Sequence, residues 1–343
     1  QQQLSLATAQ AGEIVALGRL EGIHTGDTLS TSPAASVTEL PQAERLEPVF
    51  AFAIAPQKRD DEVKLSRAIA KLLEEDNSLR WEYREETHEM LLWGQGEIHL
   101  QVALERLRRK YNLPVQTQVP QVPYRESIRK TATAHGRYKH QTGGHGQFGD
   151  VYLEIKPVPR GAGFSFAETI VGGVVPRQYI PGVESGVREF LARGVWGFPV
   201  VDIAVTLTNG SYHTVDSSEQ AFKQAARLAM QEGLSQCSPV LLEPIVLIEA
   251  STPTDYTAKV LRALSGRRGQ ILGYEAKPDW PGWDQVSAYL PQAEMHNLIV
   301  ELRSLTLGVG SFRWHFAHLQ EVPDKVAERV LATASAGTNA TRS

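Results

Sequence analysis

Apolar positions along the chain follow two spacings, one typical of strands and one typical of helices, and their order repeats. Between residues 49 and 119 the spacings predict the order β-α-β-β-α-β, and the same order returns between residues 245 and 316. The first set has strands at 49–55, 79–84, 90–93 and 115–119 and helices at 60–75 and 98–111. The second set has strands at 245–250, 270–276, 283–290 and 310–316 and helices at 253–264 and 293–302. We therefore predict two split βαβ units of the ferredoxin-like kind.

The segment between these units, about residues 123–244, has a different pattern. Strands are predicted at 129–138, 151–158, 164–170 and 200–208, and helices at 179–192 and 217–232. Asp216 followed by Glu219 resembles a capping box at the start of the second helix. A mixed α/β domain is therefore predicted between the two repeated units.

The first 45 residues form a further segment. Residues 12–30 alternate apolar and polar positions around several glycines, which is typical of short strands joined by tight turns. This pattern predicts part of a small β-barrel, and the polar stretch 31–45 suits a linker.

Composition changes this picture little. The chain has 343 residues, of which 42% are hydrophobic and 22% charged, with a net charge of -4, so we expect a globular protein of two or three domains. Its one cysteine, Cys237, cannot form an internal disulfide and is predicted to be a packed small residue. No apolar run approaches the roughly 18 residues of a membrane span. The mild negative charge argues against a general nucleic-acid binder, so any RNA contact must be local.

Residues 144–151 match the glycine pattern G-x-G-x-x-G-x-V. A dinucleotide site needs such glycines to lead into a helix, whereas here a strand pattern follows. The other kinase motifs and the P-loop pattern G-x-x-x-x-G-K-[ST] do not occur, so we expect no GTP or ATP hydrolysis by this chain. A hairpin loop whose glycines adopt positive φ is the favoured interpretation.

Histidines and basic residues cluster in the same region. A metal site is an alternative to solvated loop histidines for the four residues His135, His140, His145 and His213. Their spacing, however, fits no helical or zinc-finger pattern. Arg129, Lys130, Arg137 and Lys139 lead into the glycine loop, with Tyr138 and Phe148 nearby. This set suits either a small RNA contact or a strand with a positive outer face, and the residues alone leave both open.

Long stretches of the sequence are similar to translation elongation factor G. They include YKHQTGGHGQFGDV at 138–151, GGVVPRQYIPGVESGVRE at 172–189, GSYHTVDSSEQAFKQAA at 210–226 and RRGQILG at 267–273. GQGEIHLQVALERL at 94–107, QVPYRESI at 121–128, LLEPI at 241–245 and GSFRWHFAHLQEVP at 310–323 add to them. Because these stretches are collinear and cover nearly the whole chain, the chain is identified as a member of this family.

The resemblance implies an α+β multidomain fold. Its parts are the second half of β-barrel domain II with a linker (1–45), ferredoxin-like domain III (46–121), domain IV of the ribosomal protein S5 domain 2-like type (122–243), ferredoxin-like domain V (244–325), and a C-terminal helix and tail (326–343). The family's GTP-binding domain and the first half of the barrel are not in the chain. By the resemblance, GTP and Mg²⁺ belong to that domain, and we expect no catalytic, cofactor-binding or metal-binding residue here.

The resemblance also implies a role and a set of contact residues. Domain IV of the family enters the decoding region of the small ribosomal subunit, where its tip contacts transfer RNA and messenger RNA, and domain V docks at the factor-binding site of the large subunit. The implied tip residues here are Lys139, Gln141, Gly143, Gly144, His145, Gln147, Phe148, Trp196, Ser211, Tyr212 and His213, with 193–198 as the third tip segment. Arg267 and Arg268 are the implied phosphate contacts of domain V. We expect a monomeric, cytoplasmic protein without a membrane partner.

Three positions depart from the common pattern of the family. His145 replaces a basic residue, Thr214 replaces an aspartate, and LLWGQG at 91–96 replaces a more familiar run. These departures resemble the divergent elongation factor G-like paralogues. Two functions are therefore expected as alternatives: support of translocation, or a ribosome-associated role without translocation in recycling, stress or protection.

Overall fold

The computed structural model describes residues 4–18, 20, 22–30, 46–141 and 146–340. The chain divides into two compact units, Gln1–Glu82 with Met90–Gln118, and Tyr83–Glu89 with Val119–Ser343. The architecture is mixed α+β with three sheets, as the sequence predicts. Within the described ranges, no helix is both long and apolar enough to span a membrane.

The first sheet lies mainly in the first unit. Its strands are β1 (Phe50–Pro56), β2 (Arg80–Arg84), β3 (Glu89–Gly94) and β4 (Val115–Gln118), and its helices are α1 (Glu62–Glu75) and α2 (Glu97–Tyr111). The strand order β2-β3-β1-β4 is ferredoxin-like and confirms the predicted split βαβ unit. Each helix buries one apolar stripe, which includes Leu65, Ile69 and Leu72 on α1 and Leu100 and Leu107 on α2.

The barrel strands predicted at 12–30 are not formed in the described residues of that range. No strand is present in the described part of this segment, and Leu4, Leu6, Ile14 and Leu17 are all more than 60% exposed. The physical reason is that no other described strand pairs with the segment, and strand patterns without partners do not hold together in water. The prediction of a barrel portion was therefore wrong for the described residues.

The second unit begins with a short strand, β5 (Arg125–Ile128), and continues into a four-stranded sheet. That sheet consists of β6 (Ala132–His140), β7 (Gln147–Pro157), β8 (Phe164–Glu168) and β9 (Ile203–Ser211), with α3 (Ile180–Leu191) and α4 (Glu219–Gln236). The strand order is β6-β7-β9-β8, and only the β8–β9 pair is parallel. Both helices pack on one face, where Phe222, Val183 and Ile155 are fully buried. In the part of the chain that the structure describes, no helix packs on the other face.

Glycines and a serine fix the position of α4 against this sheet. A Cβ on Gly136 of β6 would lie 2.0 Å from the carbonyl oxygen of Ala225, so only glycine permits this approach. The helix begins after Ser218, whose side chain accepts a hydrogen bond of 3.1 Å from the backbone N–H of Ala221. The cap predicted at Asp216 is therefore wrong, and Ser218 fills that position.

The last sheet repeats the order of the first. It consists of β10 (Pro239–Pro253), β11 (Gln270–Ala276), β12 (Trp283–Pro291) and β13 (Ser311–Glu321), covered by α5 (Thr257–Gly266) and α6 (Leu298–Leu305). The order β11-β12-β10-β13 is again ferredoxin-like, and β5 extends the sheet by pairing with the start of β10. A final helix, α7 (Asp324–Ala340), follows β13.

Candidate functional site

The β6–β7 hairpin places four of the predicted contact residues at one end of its sheet. Lys139 lies opposite Phe148 and His140 opposite Gln147 in the antiparallel pairing, and Gln141 follows directly. Lys139, Gln141 and Gln147 are exposed, whereas Phe148 is half-buried. We call this end of the sheet, with residues 139–141, 146–148 and 211–217, the loop end. The predicted contacts Gly143, Gly144 and His145 lie outside the described residues.

The turn after β9 lies against the hairpin at the same end. The backbone N–H of Phe148 donates to the carbonyl oxygen of Asp216 at 2.8 Å, and the Ser217 hydroxyl donates to the carbonyl oxygen of Phe148 at 3.0 Å. The Gly146 N–H donates to Oδ1 of Asp216 at 3.1 Å. Three bonds therefore join two segments that are about 70 positions apart in sequence. This arrangement brings the predicted residues Ser211, Tyr212 and His213 beside the hairpin, all three exposed.

His213 is held by its own turn. Its backbone N–H donates to Oγ of Ser217 at 2.8 Å, and its Nδ1 lies 3.2 Å from both the backbone N and the Oδ2 of Asp216. A neutral ring accepts from that N–H, and a protonated ring donates to that carboxylate, so either form has a partner at Nδ1. The side chain is 54% exposed, and its ring centre lies 6.4 Å from that of Phe148. Nε2 is the polar atom of His213 that remains for an external group.

The described glycines of the G-x-G-x-x-G pattern have a different role from the one predicted. Gly146 and Gly149 do not have positive φ. A Cβ on Gly149 would lie 2.5 Å from the carbonyl oxygen of Ala221 in α4, and one on Gly146 would lie 3.0 Å from Cγ of Asp216. At these two positions glycine is needed for close approach rather than for turn geometry, so the positive-φ interpretation was wrong there.

Trp196 does not lie at the loop end. The N–H groups of Val195, Trp196 and Phe198 all donate to the carboxylate of Glu126, at 2.8, 2.8 and 3.0 Å. Glu126 belongs to β5. It forms an isolated β-bridge with Val200, which lies between the end of α3 and the start of β9. Since β9 begins opposite Pro157, the far end of β7, the segment 193–198 lies at the opposite end of the sheet. The prediction of a third tip segment there fails because α3 runs from the loop end to the other end.

A different segment, 171–178, lies at the loop end beside the hairpin and the turn after β9. Tyr179 donates through its hydroxyl to the carbonyl oxygen of Ser217 at 3.1 Å, and a Cβ on Gly210 would meet Cγ2 of Val175 at 2.5 Å. Gly172 and Gly173 both have positive φ, near 70°, and Val171 is 83% exposed. The adjacent glycines and Pro176 were the sequence signal for this loop.

Glu126, which holds the 193–198 segment, is a buried carboxylate that sequence reasoning missed. It is fully buried, and this burial raises its pKa, while the three backbone hydrogen bonds oppose the rise. Nothing in its sequence environment distinguishes it from an exposed strand residue. Its role is to hold the segment that follows α3 against β5.

Arg267 and Arg268, the predicted phosphate contacts, form ion pairs within their own unit. Arg268 donates to both oxygens of buried Glu243 at 2.7 and 3.0 Å and to Glu294 at 2.9 Å, and the hydrogen bond with Glu243 raises its pKa above the usual range. Arg267 donates to Glu301 and to the carbonyl oxygens of Glu294 and His296. Both guanidinium groups therefore stabilise the region around α6 and the start of β10. Nearby, Arg262 on α5 is exposed.

The basic and aromatic residues predicted at 129–139 separate into two groups. Arg129 pairs with Glu321 at 2.6 Å, and Tyr138 packs against the core. His135, Arg137 and Lys139 lie at every second position of β6, on the face of the sheet opposite α3 and α4. His135 contacts Asp150 at 2.6 Å. In the described part of the chain, no group of three or more His, Cys, Asp or Glu side chains has the geometry of a metal site.

Comparisons with known proteins give a consistent result. Family models described as elongation factor G domain III, domain IV and C-terminus match residues 46–119, 120–238 and 240–330. A curated relative, an elongation factor G-like protein of Synechocystis sp. strain PCC 6803, is 69% identical over 95% of this chain and 48% of its own length. A crystal structure of a protein from Thermus thermophilus has a TM-score of 0.76 and 41% identity, over 92% of this chain and 47% of that one. This chain thus spans about half the length of these two proteins.

Proposed function

Since the chain belongs to the elongation factor G family, we propose that it is the ribosome-binding part of a translational GTPase and supports movement of transfer RNA and messenger RNA. In this proposal, residues 46–121, 122–243 and 244–325 are domains III, IV and V. The protein works in the cytoplasm as a monomer. GTP and Mg²⁺ are held by a separate GTP-binding domain, to which no residue of this chain is assigned.

One observation carries the proposal, namely the loop end of the β6–β9 sheet. Exposed polar and cationic side chains stand there on turns that are bonded to one another: Lys139, Gln141, Gln147, Ser211, Tyr212 and His213. Such side chains contact phosphates, riboses and base edges, and the cross-bonds through Asp216 and Ser217 hold them in fixed relative positions. A rigid surface of this kind is suited to occupy a site on RNA and to keep a transfer RNA from returning to that site.

The mechanical part of the function follows from the same bonds. A loop that moved freely would lose conformational entropy when it contacts RNA, whereas a preorganised loop does not. Oδ1 of the half-buried Asp216 carboxylate accepts from the Gly146 N–H and Oδ2 lies against the His213 ring, so the carboxylate points into the loop end rather than towards an external phosphate. The positive side chains of β6 therefore dominate the field at this end.

The second candidate function is ribosome association without translocation. His145, Thr214 and the run at 91–96 differ from the common family pattern, and the 69% identical relative carries the name elongation factor G-like protein. This candidate predicts ribosome-stimulated GTP hydrolysis without movement of transfer RNA.

A translocation assay on the full-length protein that contains this chain separates the two. The proposal predicts GTP-dependent movement of messenger RNA by one codon, and a strong decrease when His213→Ala is combined with Gly143→Pro. A full-length protein that hydrolyses GTP on ribosomes but moves no messenger RNA supports the second candidate. Unchanged movement in the double variant contradicts the assignment of the loop end.

For the chain by itself we propose weak ribosome binding that depends strongly on salt. The contact area is small, and contacts to phosphate release counterions, so the logarithm of the affinity decreases with the logarithm of the salt concentration. Sedimentation of the chain with ribosomes at low and physiological salt measures this dependence. An affinity that does not change with salt argues against phosphate contacts.

A further inference from the structure

Among the described residues, no helix covers one face of the β6–β9 sheet, and this face meets the loop end at Lys139 and Phe148. Inward residues such as Ala134, Val151 and Leu153 pack under α3 and α4. The alternate residues of β6 and β7 point the other way, and His135, Arg137 and Tyr152 among them are exposed. We call this surface the open face, defined by His135, Arg137, Lys139, Phe148 and Tyr152.

The charges that remain available on the open face are positive. Asp150 lies directly opposite Arg137, yet its two oxygens bond His135 at 2.6 Å and Ser211 at 2.9 Å. Glu154 pairs with Lys156 at 2.8 Å. Within the described ranges, no carboxylate pairs with Arg137 or Lys139. Since Asp150 and Glu154 both bond other partners, the Arg137 and Lys139 cations remain for an external anion.

Aromatic rings lie beside these cations, with His135 paired to Tyr152 and Lys139 paired to Phe148 across the two strands. The rings of His135 and Tyr152 stack with centres 4.3 Å apart and an angle of 13° between their planes. The bond from His135 to Asp150 fixes the orientation of this pair, so the two rings form one preorganised platform. Further along the face, the Arg137 guanidinium lies 5.4 Å from the centre of the Phe148 ring. Both platforms are partly exposed.

We propose that the open face binds single-stranded RNA, with a base stacked on the His135–Tyr152 pair and backbone phosphates at Arg137 and Lys139. Stacking on aromatic rings beside cations is the physical basis of single-strand binding, because every base has a π face and every nucleotide carries a negative charge. A duplex cannot use such a platform, because its bases are already stacked. This inference takes from the proposed function only that the partner is RNA, and it adds a second contact surface beside the loop end.

The test is a titration of the full 343-residue chain with an RNA octamer that carries one 2-aminopurine, whose fluorescence decreases on stacking. Tyr152→Ala is expected to weaken binding about tenfold, as for the loss of one stacked base, and to remove the fluorescence change. Tyr152→Phe is expected to retain both. Arg137→Gln is expected to reduce the slope of log Kd against log salt by about 0.7, the value for one phosphate of a single strand.

Two control variants make the result specific. Tyr274→Ala removes an aromatic side chain that is 61% exposed on another sheet, and it is expected to change nothing. Tyr83→Ala removes an aromatic side chain that is 53% exposed on the first sheet, and it is likewise expected to leave octamer binding unchanged. Thermal unfolding of each variant verifies that it is folded.

The outcomes separate this inference from the proposed function. Octamer affinity that is insensitive to Tyr152→Ala, or equal binding of duplex RNA, overturns the inference, even if the chain binds ribosomes through the loop end. Conversely, the octamer can bind in a way that depends on Tyr152 while the full-length protein neither binds ribosomes nor moves messenger RNA. That result overturns the proposed function and leaves the open face as an RNA site.

Discussion

The Ser217 hydroxyl donates a hydrogen bond of 3.0 Å to the carbonyl oxygen of Phe148 and accepts one of 2.8 Å from the backbone N–H of His213. One hydroxyl group thus connects the β6–β7 hairpin to the turn that carries the exposed histidine. The two segments are far apart in sequence, so the loop end is a tertiary structure rather than a pair of independent loops.

Ser217→Ala is expected to loosen this connection. The backbone groups of Phe148 and His213 each lose a partner, and we expect a decrease of about 1–2 kcal/mol in the free energy of unfolding. Denaturant unfolding measures the loss, and amide hydrogen exchange is expected to accelerate at His213. The matched control is Ser235→Ala, which removes only an exposed bond to the carbonyl oxygen of Gln231 within α4. Equal effects of the two changes would show that Ser217 does not join the loops.

Glu126→Ala is expected to decrease stability by about 3 kcal/mol, because three backbone N–H groups lose their acceptor in a buried place. The structural effect is expected at residues 193–198, at the end of the sheet opposite the loop end. Hydrogen exchange of Val195 and Trp196 measures it directly. Protection that persists at these amides in the variant would contradict the role of Glu126.

The pH dependence of stability gives a separate test of Glu126. Burial raises its pKa in the folded protein above the ordinary 4.5, so the folded state binds the proton more tightly than the unfolded state. This contribution to stability is present below about pH 4.5 and is lost as the pH rises through the raised pKa. The stability of the wild type relative to Glu126→Gln is therefore expected to increase as the pH decreases through this window. A constant difference would contradict the raised pKa.

Gly136→Ala is expected to displace α4 from the sheet. The new methyl group would lie 2.0 Å from the carbonyl oxygen of Ala225 and 2.6 Å from the backbone N of Ala229, and overpacking of this kind costs about 3 kcal/mol. Gly266→Ala is the control, because a Cβ there meets nothing within 4 Å and its φ is not positive. Urea unfolding of both variants compares them, and similar midpoints would be incompatible with the close packing of α4.

Arg268→Met is expected to decrease stability by about 3 kcal/mol, because it leaves the buried carboxylate of Glu243 without its main partner. Arg262→Met, at an exposed site of α5, is expected to change stability by less than about 0.5 kcal/mol. Thermal and chemical unfolding measure both. If Arg268→Met weakens ribosome binding while stability is unchanged, Arg268 is a phosphate contact rather than a structural residue.

The repeated pattern of apolar positions was sufficient to predict both ferredoxin-like sheets. Their helices each present a regular apolar stripe, and spacing within one element is a local property of the sequence. β5 was missed because its residues, RESI, do not alternate apolar and polar positions, although three of the four are buried. The barrel strands were predicted because residues 12–30 have the right alternation, but alternation does not supply a partner strand.

The site was predictable only as far as it follows the hairpin. Lys139 and Phe148 face each other because they flank one turn, and this is visible in the sequence. The position of Trp196 depends on the direction of α3 and on Glu126, which lies about 70 positions earlier, so no local pattern could reveal it. Arg267 and Arg268 were assigned to RNA because they are adjacent cations, whereas their partners Glu243, Glu294 and Glu301 come from other elements.

The most direct test of the central claim is cleavage of ribosomal RNA by hydroxyl radicals from an iron chelate attached to the chain. Cys237 is fully buried, and burial raises its thiol pKa, so a cysteine introduced at Tyr212 can be labelled selectively. The matched position is Val195→Cys, at the opposite end of the same sheet. We expect cleavage in the decoding region of the small subunit from position 212 and not from position 195. Cleavage of that region from position 195 alone, or the same pattern from both positions, would contradict the claim that the loop end enters the decoding region.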